Sequence, residues 1–371
     1  MSNTSDFILK NAIEVGKDTK VTLGTITSGT VDLSTGNYFA ETLAADTTYV
    51  FSNPGDVQSF QLEVTGGSSL ASSNPNGSYN VTAQDTTPAS LFVGDSGTKV
   101  YVWGFTGDSV YQYTLSTAWD ISTASYDSKS LSVSAQGTQG YSMYFRSDGL
   151  KFFWVDAGSD TVYQYTLSTA WDISTASYDS KSFSGAAQDT IMRGVWFKTD
   201  GTKMYLTGLS NDSIYQYTLS TAWDVSTASY DSVSLDLSAS LTSPTSPSFN
   251  NEGTKFVVYN ARVLHEYSLG TAWDISTASA TGASYDTTST IATSYSSFSS
   301  LDDGFAYVVG ADDIVYKFDY GSTTITWPAS VQWSAGVAPS TPANGETDVF
   351  TFVTDDTGTT YIGLQTADNL S

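Results

Sequence analysis

One ten-residue segment, Tyr111-Gln112-Tyr113-Thr114-Leu115-Ser116-Thr117-Ala118-Trp119-Asp120, returns almost letter for letter over 163–172 and 215–224, and in looser form over 265–274. Its tryptophans, Trp119, Trp171, Trp223 and Trp273, set spacings of 52, 52 and 50 residues. A period of ~50 residues with no helical periodicity inside it is that of a four-stranded propeller blade, a unit that buries its faces only against its neighbours.

The parts of each unit follow from its letters. A short apolar strand comes first: Ser90–Val93, Ser142–Phe145, Gly194–Phe197, Pro247–Phe249 and Ser297–Leu301. A glycine turn follows, from Asp95-Ser96-Gly97 to Asp302-Asp303-Gly304, where glycine supplies the positive φ of a tight hairpin. Second strands Val100–Trp103, Phe152–Val155, Met204–Leu206, Phe256–Tyr259 and Phe305–Val309 are apolar on both faces, as strands enclosed between blades must be. Tyr-Gln-Tyr supplies the third strand, Trp-Asp a long loop, and Ser128–Ala135 with its equivalents the fourth.

The fifth unit, Ser297 to Tyr320, stops after three strands. Its missing strand is legible near the other end, where Ser78–Thr86 matches Ser182–Thr190 without a gap. A strand supplied from there closes the ring and removes open sheet edges. The expected fold is therefore all-β: a five-bladed β-propeller over 71–320, its last blade closed by an N-terminal strand. Both propeller ends then lie in one blade, which suits insertion into a host domain. Segments 25–70 and 321–371 each have too few strand-like runs for a stable sheet pair. They are expected to join as a discontinuous β-sandwich, with 1–24 as an N-terminal arm.

Composition agrees with sheets. Aromatic residues are 14% of the chain and charged residues also 14%, against ~25% charged in ordinary globular proteins. Polar positions fall to Ser, Thr, Gly and Asn, and a disordered chain would be poor in aromatics. The net charge of −24 disfavours nucleic acid and anionic bilayers as partners and suits a saline or extracellular setting. Without cysteine there is no disulfide, thiolate nucleophile or Cys-based zinc site. No apolar run reaches membrane-spanning length, and Met1–Lys20 has no signal-peptide core, so an extracellular role implies release outside the general secretory route.

The flanks carry Val31-Asp32-Leu33-Ser34-Thr35-Gly36-Asn37-Tyr38-Phe39, then Tyr49-Val50-Phe51-Ser52-Asn53. Near the other end stand Ile325-Thr326-Trp327-Pro328-Ala329-Ser330-Val331-Gln332-Trp333, Gly336-Val337-Ala338-Pro339, Asp348–Phe352 and Asp355–Gly363. This pattern resembles a domain of virion proteins from tailed, especially marine, bacteriophages, with Trp-Pro-Ala-Ser-x-x-Trp its most specific part. In such proteins the two halves follow one another directly; here roughly 255 residues separate them. The likeness covers about a quarter of the chain, and the Thr-Ala-Trp-Asp-Ile-Ser-Thr-Ala repeat is also similar to ones in such phage proteins. The resemblance implies a tail-fibre or appendage component located in the virion.

Chemistry-bearing residues are sparse. A glycosidase needs two carboxylates beside the scissile bond, and in a propeller they would line the channel. None of the five innermost strands contains Asp or Glu, so no enzyme and no catalytic residue is expected. His265, the only histidine, stands where Tyr111, Tyr163 and Tyr215 stand in the other units, a substitution rather than a base. No cofactor is expected. Asp156–Asp160, Asn211-Asp212 and Asp312-Asp313 offer oxygens of the kind calcium takes, but aspartate is also an ordinary turn residue and no EF-hand spacing is present. The four repeat tryptophans read as anchors of their loops, with sugar-stacking platforms as the alternative. Binding is expected at the other end, on the second-to-third-strand loops and the interblade loops Gly137–Gly140, Asp189–Arg193 and Ser240–Pro247, because these differ most between units. The candidate residues there are Gly107, Asp108, Ser159, Asp160, Asn211, Asp212, Arg262, Asp312 and Asp313.

The expected function is a phage virion structural protein, its sandwich and arm docking on other virion proteins and its propeller binding a host-surface glycan or protein, or a partner within the virion. Capsid-surface decoration is one alternative and an extracellular carbohydrate-binding adhesin another. A homo-oligomer is compatible with this, but no coiled-coil heptads set its number.

Overall fold

The computed structural model describes residues 21–370 except 44–46, 246, 301–303, 335 and 343–345. Most of the expected 1–24 arm and the turn residues Asp302 and Asp303 lie outside the described residues. The fold is all-β: among the described residues strands make up the regular structure, interrupted by four single-turn 3-10 helices. The chain divides into two compact units, one formed by its two ends (through Ser69 and from Ser322) and one running Leu70–Gly321.

In the unit formed by the ends, one five-stranded sheet is ordered Val331–Trp333, Tyr361–Leu370, Thr347–Thr354, Gln58–Thr65, Tyr38–Thr42. The central pairing, Phe352 opposite Phe60 and Phe350 opposite Leu62, joins the N-terminal flank to the C-terminal one. A three-stranded sheet of Thr25–Thr27, Thr30–Asp32 and Val50–Ser52 accompanies it. Val31, Phe39, Tyr49, Phe60, Leu62, Phe350, Phe352 and Tyr361 form one core, against which Trp327 and Trp333 pack. The segment Thr47–Ser52 is divided between two pairings: Thr47–Thr48 pairs with Ile325–Thr326, and Val50–Ser52 joins the three-stranded sheet. Buried Tyr49 sits at the crossing and stacks on Trp327.

Among the described residues of the larger unit there are five four-stranded sheets. The first is Pro88–Gly94, Lys99–Gly104, Ser109–Leu115 and Ala124–Ser132; the second Gly140–Phe145, Lys151–Asp156, Thr161–Leu167 and Ala176–Ser184. The third is Met192–Phe197, Lys203–Gly208, Ser213–Leu219 and Ala228–Asp236; the fourth Ser248–Phe249, Lys255–Asn260, Val263–Leu269 and Ala278–Asp286. The fifth takes Ser294–Ser300, Phe305–Gly310 and Ile314–Ser322 from one end of the unit and Ser68–Asn80 from the other. The first strands pack on one another: Pro88–Gly94 touches Gly140–Phe145 and Ser294–Ser300, Gly140–Phe145 touches Met192–Phe197, and Ser248–Phe249 touches Ser294–Ser300. Second strands such as Phe152–Val155 are buried throughout.

The fourth strands differ from the sequence expectation. They begin four residues earlier, at Ala124 rather than Ser128, and end at Ser132. Ser128, Ser180 and Ser232 instead occupy bulges with φ of 57°, 57° and 59°. The strand stops at Ser132 because the Val133 N–H turns away to donate to the Asp108 carbonyl at 3.0 Å.

Candidate functional site

The Gln, Trp and Asp of the repeat each have a fixed partner. Trp119, Trp171, Trp223 and Trp273 all have φ between 60° and 65°. Each lies across the turn glycine of its own sheet, so a Cβ built on Gly97, Gly149, Gly201 or Gly253 would come within 2.1–2.4 Å of the indole. The following aspartate caps a 3-10 turn, as when Asp172 Oδ1 accepts from the Ser174 N–H. Between sheets, Gln112 Oε1 accepts the buried Ile173 N–H at 2.8 Å and Gln164 Oε1 the Val225 N–H at 3.0 Å. The glutamine amides meanwhile donate to Asp127 and Asp179 of their own sheets. Tyr101 and Tyr205 donate their hydroxyls to the carbonyls of Trp171 and Trp273, and burial raises both phenols above their ordinary pKa.

The loop-end candidates hold the scaffold. Asp108, Asp160, Asp212, Arg262 and Asp313 occupy one equivalent position per sheet, all at positive φ. Their carbonyls accept the N–H groups of Val133, Gly185, Leu237, Thr287 and Val81, tying each fourth-strand exit to a hairpin. Gly107, Ser159 and Asn211 donate backbone N–H groups to the buried carboxylates of Asp85, Asp156 and Asp189. Asp312 accepts from the Tyr316 hydroxyl at 2.5 Å, and burial together with that carboxylate pushes the phenol up to about 12.

Those buried carboxylates come from two alternative places. Asp85 and Asp189 lie in the interblade loop, facing Gly104 and Gly208 at the end of the second strand. In the second sheet the pair is exchanged, with Gly137 in the loop and Asp156 on the strand. In all three a Cβ added to the glycine would fall 2.1–2.3 Å from the aspartate Cγ, so one carboxylate fills the same space from either side. Part of the loop variability that marks this end in the sequence is therefore a compensated exchange.

At the opposite end, a cavity of about 580 Å³ opens among the first-strand termini and the glycine turns. Its aromatic floor is a ring of Phe92, Tyr144, Trp196 and Phe298, with successive centroids 5.1–6.1 Å apart. These four stand at one register position of their strands, opposite Tyr101, Phe153, Tyr205 and Tyr307. Ser248 holds that position in the fourth sheet, and the Trp196 indole reaches past it to Phe298. The rim is polar, with Asp95, Ser96, Ser147, Thr199, Asn251 and Ser300, and Trp119 and Trp171 stand in its wall. Burial raises the Tyr144 phenol, which stays protonated near neutral pH. Sequence reasoning identified the inner strands but not this ring, although an aromatic at the same offset in four of five units signalled it.

His265 lies on the third strand between Val258 and Ser284, with its pKa lowered by burial. Among the described residues no group of three or more His, Cys, Asp or Glu side chains is placed to hold a metal, and no helix is long and apolar enough to cross a membrane. In the turn named for calcium, the Asp156 carboxylate accepts the N–H groups of Gln139 and Ser159 and the Ser159 hydroxyl.

No protein-family model matches the chain, and no curated protein matches it in sequence. Solved structures similar to it include a protein provisionally named a 6-phosphogluconolactonase from Bacteroides uniformis, at 10% identity and a TM-score of 0.38, covering 54% of this chain and 55% of that one. A protein from Lactobacillus plantarum is similar at 16% identity and a TM-score of 0.39, covering 60% and 64%. A functionally unknown protein from Desulfotomaculum acetoxidans is similar at 9% identity and a TM-score of 0.40, covering 60% and 65%. The chain thus spans less than two thirds of each of these proteins.

Proposed function

We propose that this chain is a non-catalytic glycan-binding component of a phage particle: a five-bladed β-propeller head inserted into a β-sandwich base. Five four-stranded sheets with mutually packed first strands support the blade count, and one sheet made from both flanks supports the insertion. The observation that carries the binding reading is the turn-end cavity. The edge-to-face floor rings and the Trp119 and Trp171 indoles beside them offer apolar surface to the C–H side of a sugar, and the hydroxyl, amide and carboxylate groups of the rim suit its hydroxyls. A volume of about 580 Å³ is within the range of sites for small ligands, enough for one or two sugar rings.

Catalysis has weaker support. Among the described lining residues only Asp95 carries a carboxylate, and its Oδ2 already accepts from the Thr98 hydroxyl. Acid–base cleavage of a glycosidic bond uses two. The virion setting rests on the resemblance of the flanks to phage structural domains.

The test is saturation-transfer NMR of the full chain with neutral oligosaccharides, repeated on Trp196→Ala. Binding that weakens at least about tenfold in a variant of unchanged circular dichroism supports the cavity reading. Equal binding by both proteins, or turnover of a sugar lactone or glycoside by the pure protein, overturns it. Antibody labelling of particles from the source of the gene then separates appendage from capsid decoration, and particles lacking the protein would favour the adhesin reading.

A further inference from the structure

The described cations of this acidic chain are nearly all neutralised in place. Eleven lie among the described residues, and nine of them have a carboxylate oxygen within 4 Å. Arg262 donates to the Ala292 carbonyl at 2.6 Å. Arg193 is the exception among the described residues. Its guanidinium carbon lies 4.2 Å from the centroid of the Tyr141 ring, and its buried Nε has no hydrogen-bond partner. A half-buried cation with no counter-ion recovers only part of its desolvation from an aromatic face, and an anion from outside the protein would complete it.

Its surroundings come from several sheets. Arg193, Tyr141 and Tyr295 stand at the same place in three different first strands, where the register shifts between Met192 and Gly194, Gly140 and Ser142, and Ser294 and Ser296. Bulges of this kind re-aim a side chain out of the ladder, and they recur beside binding sites. The equivalent residue in the first sheet is Ala89, at the shift between Pro88 and Ser90. There Phe105 extends from the end of the second strand, with its ring 5.5 Å from Tyr141 and 6.4 Å from Tyr295. Arg193, Tyr141, Tyr295 and Phe105 are all half-buried, so the cluster presents one cation among three partly open aromatic rings. It lies at the loop end of the larger unit, opposite the aromatic-floored cavity.

We propose that this cluster is a second binding site, specific for the carboxylate of an acidic saccharide. The guanidinium donors, unanswered within the protein, match a planar carboxylate, which arginine grips in bidentate fashion. The flanking rings give the sugar its stacking surface. A single cation set in a chain of net charge −24 suits an isolated carboxylate rather than a run of phosphodiesters, whose retention requires several basic contacts. The site is independent of the turn-end cavity and shares none of its lining residues.

The experiment is calorimetric titration of the full chain with a glucuronate-containing oligosaccharide, its neutral glucose counterpart and free glucuronate, repeated on Arg193→Ala and Arg193→Lys. The acidic oligosaccharide is expected to bind, with affinity falling as salt rises. Arg193→Ala should weaken it by about tenfold or more, and Arg193→Lys should keep part of it. Free glucuronate binding as well as the oligosaccharide would assign recognition to the carboxylate alone and overturn the saccharide part of the claim. Equal affinity for acidic and neutral sugars in the Trp196→Ala background, no acidic binding at millimolar ligand, or an unaffected Arg193→Ala would overturn the site. Trp196→Ala removes the cavity floor, so the acidic binding measured in that background reports the Arg193 cluster alone. Thermal melts of each variant identify any that fail to fold, and Tyr295→Ala, which leaves the Arg193–Tyr141 contact in place, then replaces Arg193→Ala with the same expected loss.

Discussion

The junctions linking the first four sheets of the larger unit can be set beside the junction linking the fourth to the fifth. From first to second sheet, Gln112 accepts the Ile173 N–H, Lys129 pairs with Asp172 at 2.7 Å, and Tyr101 reaches the Trp171 carbonyl. Second to third keeps Gln164, Val225, Lys181 and Asp224 but has Phe153 at the tyrosine place, and third to fourth keeps Gln216, Ile275 and Tyr205 but has Val233 at the lysine place. At the fourth-to-fifth junction the corresponding residues are Glu266, Ala283 and Val257. The reason lies in the partner. The fifth sheet takes its fourth strand from Ser68–Asn80, so no Trp-Asp loop follows its third strand, and no carbonyl or N–H waits there for a tyrosine or a glutamine. That junction is closed by an apolar cluster of Leu70, Val257, Tyr259, Leu264, Ile291, Ala306, Val308 and Phe318. Within the fourth sheet Lys255 still finds a carboxylate, Glu266, where its counterparts use Asp127, Asp179 and Asp231. Across these four junctions the glutamine persists where the N–H it serves persists. The lysine and the tyrosine follow their partners less strictly, since Val233 and Phe153 stand in their places although Asp274 and Trp223 remain.

The largest test of that rule is the buried aspartate. Asp189→Gly removes the acceptor for the N–H groups of Ile191, Ser210 and Asn211, and should cost about 2–4 kcal/mol. Gly208→Asp alone drives a second carboxylate into Asp189, and should cost at least about 3 kcal/mol. Together the two substitutions rebuild the arrangement of Gly137 and Asp156. The double variant should therefore recover most of the loss in urea-melt midpoints. Losses that simply add would show that position, and not partnership, governs the residue.

A smaller contrast separates the two kinds of junction. Gln164→Ala strands the buried Val225 N–H and should cost about 1–3 kcal/mol. Glu266→Ala has no such group to strand, and its loss should stay within about 1 kcal/mol, because its ion pair with half-exposed Lys255 is long at 3.5 Å. Similar losses in the two denaturation curves would remove the distinction.

Acid should act on the same ties. Burial pushes the carboxyls of Asp127, Asp179 and Asp231 up, but hydrogen bonds from threonine, glutamine and lysine outweigh it and hold all three below the usual 3.8. A depressed folded-state pKa means stability that is fully present above the unfolded value and drains away as pH falls through 3.8 toward the folded one. Thermal melts should hold level near neutrality and then decline below that point. Gln164→Ala should flatten the decline slightly, since Asp179 loses one of its donors. A melting temperature that rises on acidification would contradict the assignment.

Much of the scaffold could be read from the chain because tandem duplication prints each strand and turn four times, and Ser78–Thr86 reproduces a fragment of the missing strand. The strand-to-loop frame of the fourth strands was misplaced because Ser-rich text reads equally as strand or turn. Positive φ at Ser128, which produces the bulge, is announced by a glycine only in the fourth unit, where Gly282 holds the equivalent place with φ of 85°. The binding end was harder still. Variation among loops is visible in a sequence, but whether two differing loops are compensating each other, as Asp85 with Gly104 and Gly137 with Asp156, depends on contacts between residues about 19 apart. The Phe92, Tyr144, Trp196, Phe298 ring needed only the offset within each strand, yet its members read individually as core. Arg193 looked like one more loop residue, since the absence of a counter-ion is a property of space and not of spelling.

The subtlest expectation concerns local opening. The first strands of the second and fifth sheets, Gly140–Phe145 and Ser294–Ser300, occupy equivalent places, and both pack against Pro88–Gly94. They differ in what holds their sheets to the sheets on the other side. The second sheet is tied to the third by Gln164 and Lys181, whereas the fifth meets the fourth through apolar contacts and the Tyr259 hydroxyl with Ser294. Apolar contacts slide more readily than paired backbone groups, and the fifth sheet also depends on a strand far away in sequence. Native-state hydrogen exchange should then find the amides of Ser294–Ser300 opening about tenfold more often than those of Gly140–Phe145, a difference of about 1.4 kcal/mol. Gln164→Ala should narrow that gap by raising exchange in the second and third sheets alone. Uniform exchange across both strands would mean that the larger unit opens only as a whole, and that polar ties between sheets set its total stability without setting where it first gives way.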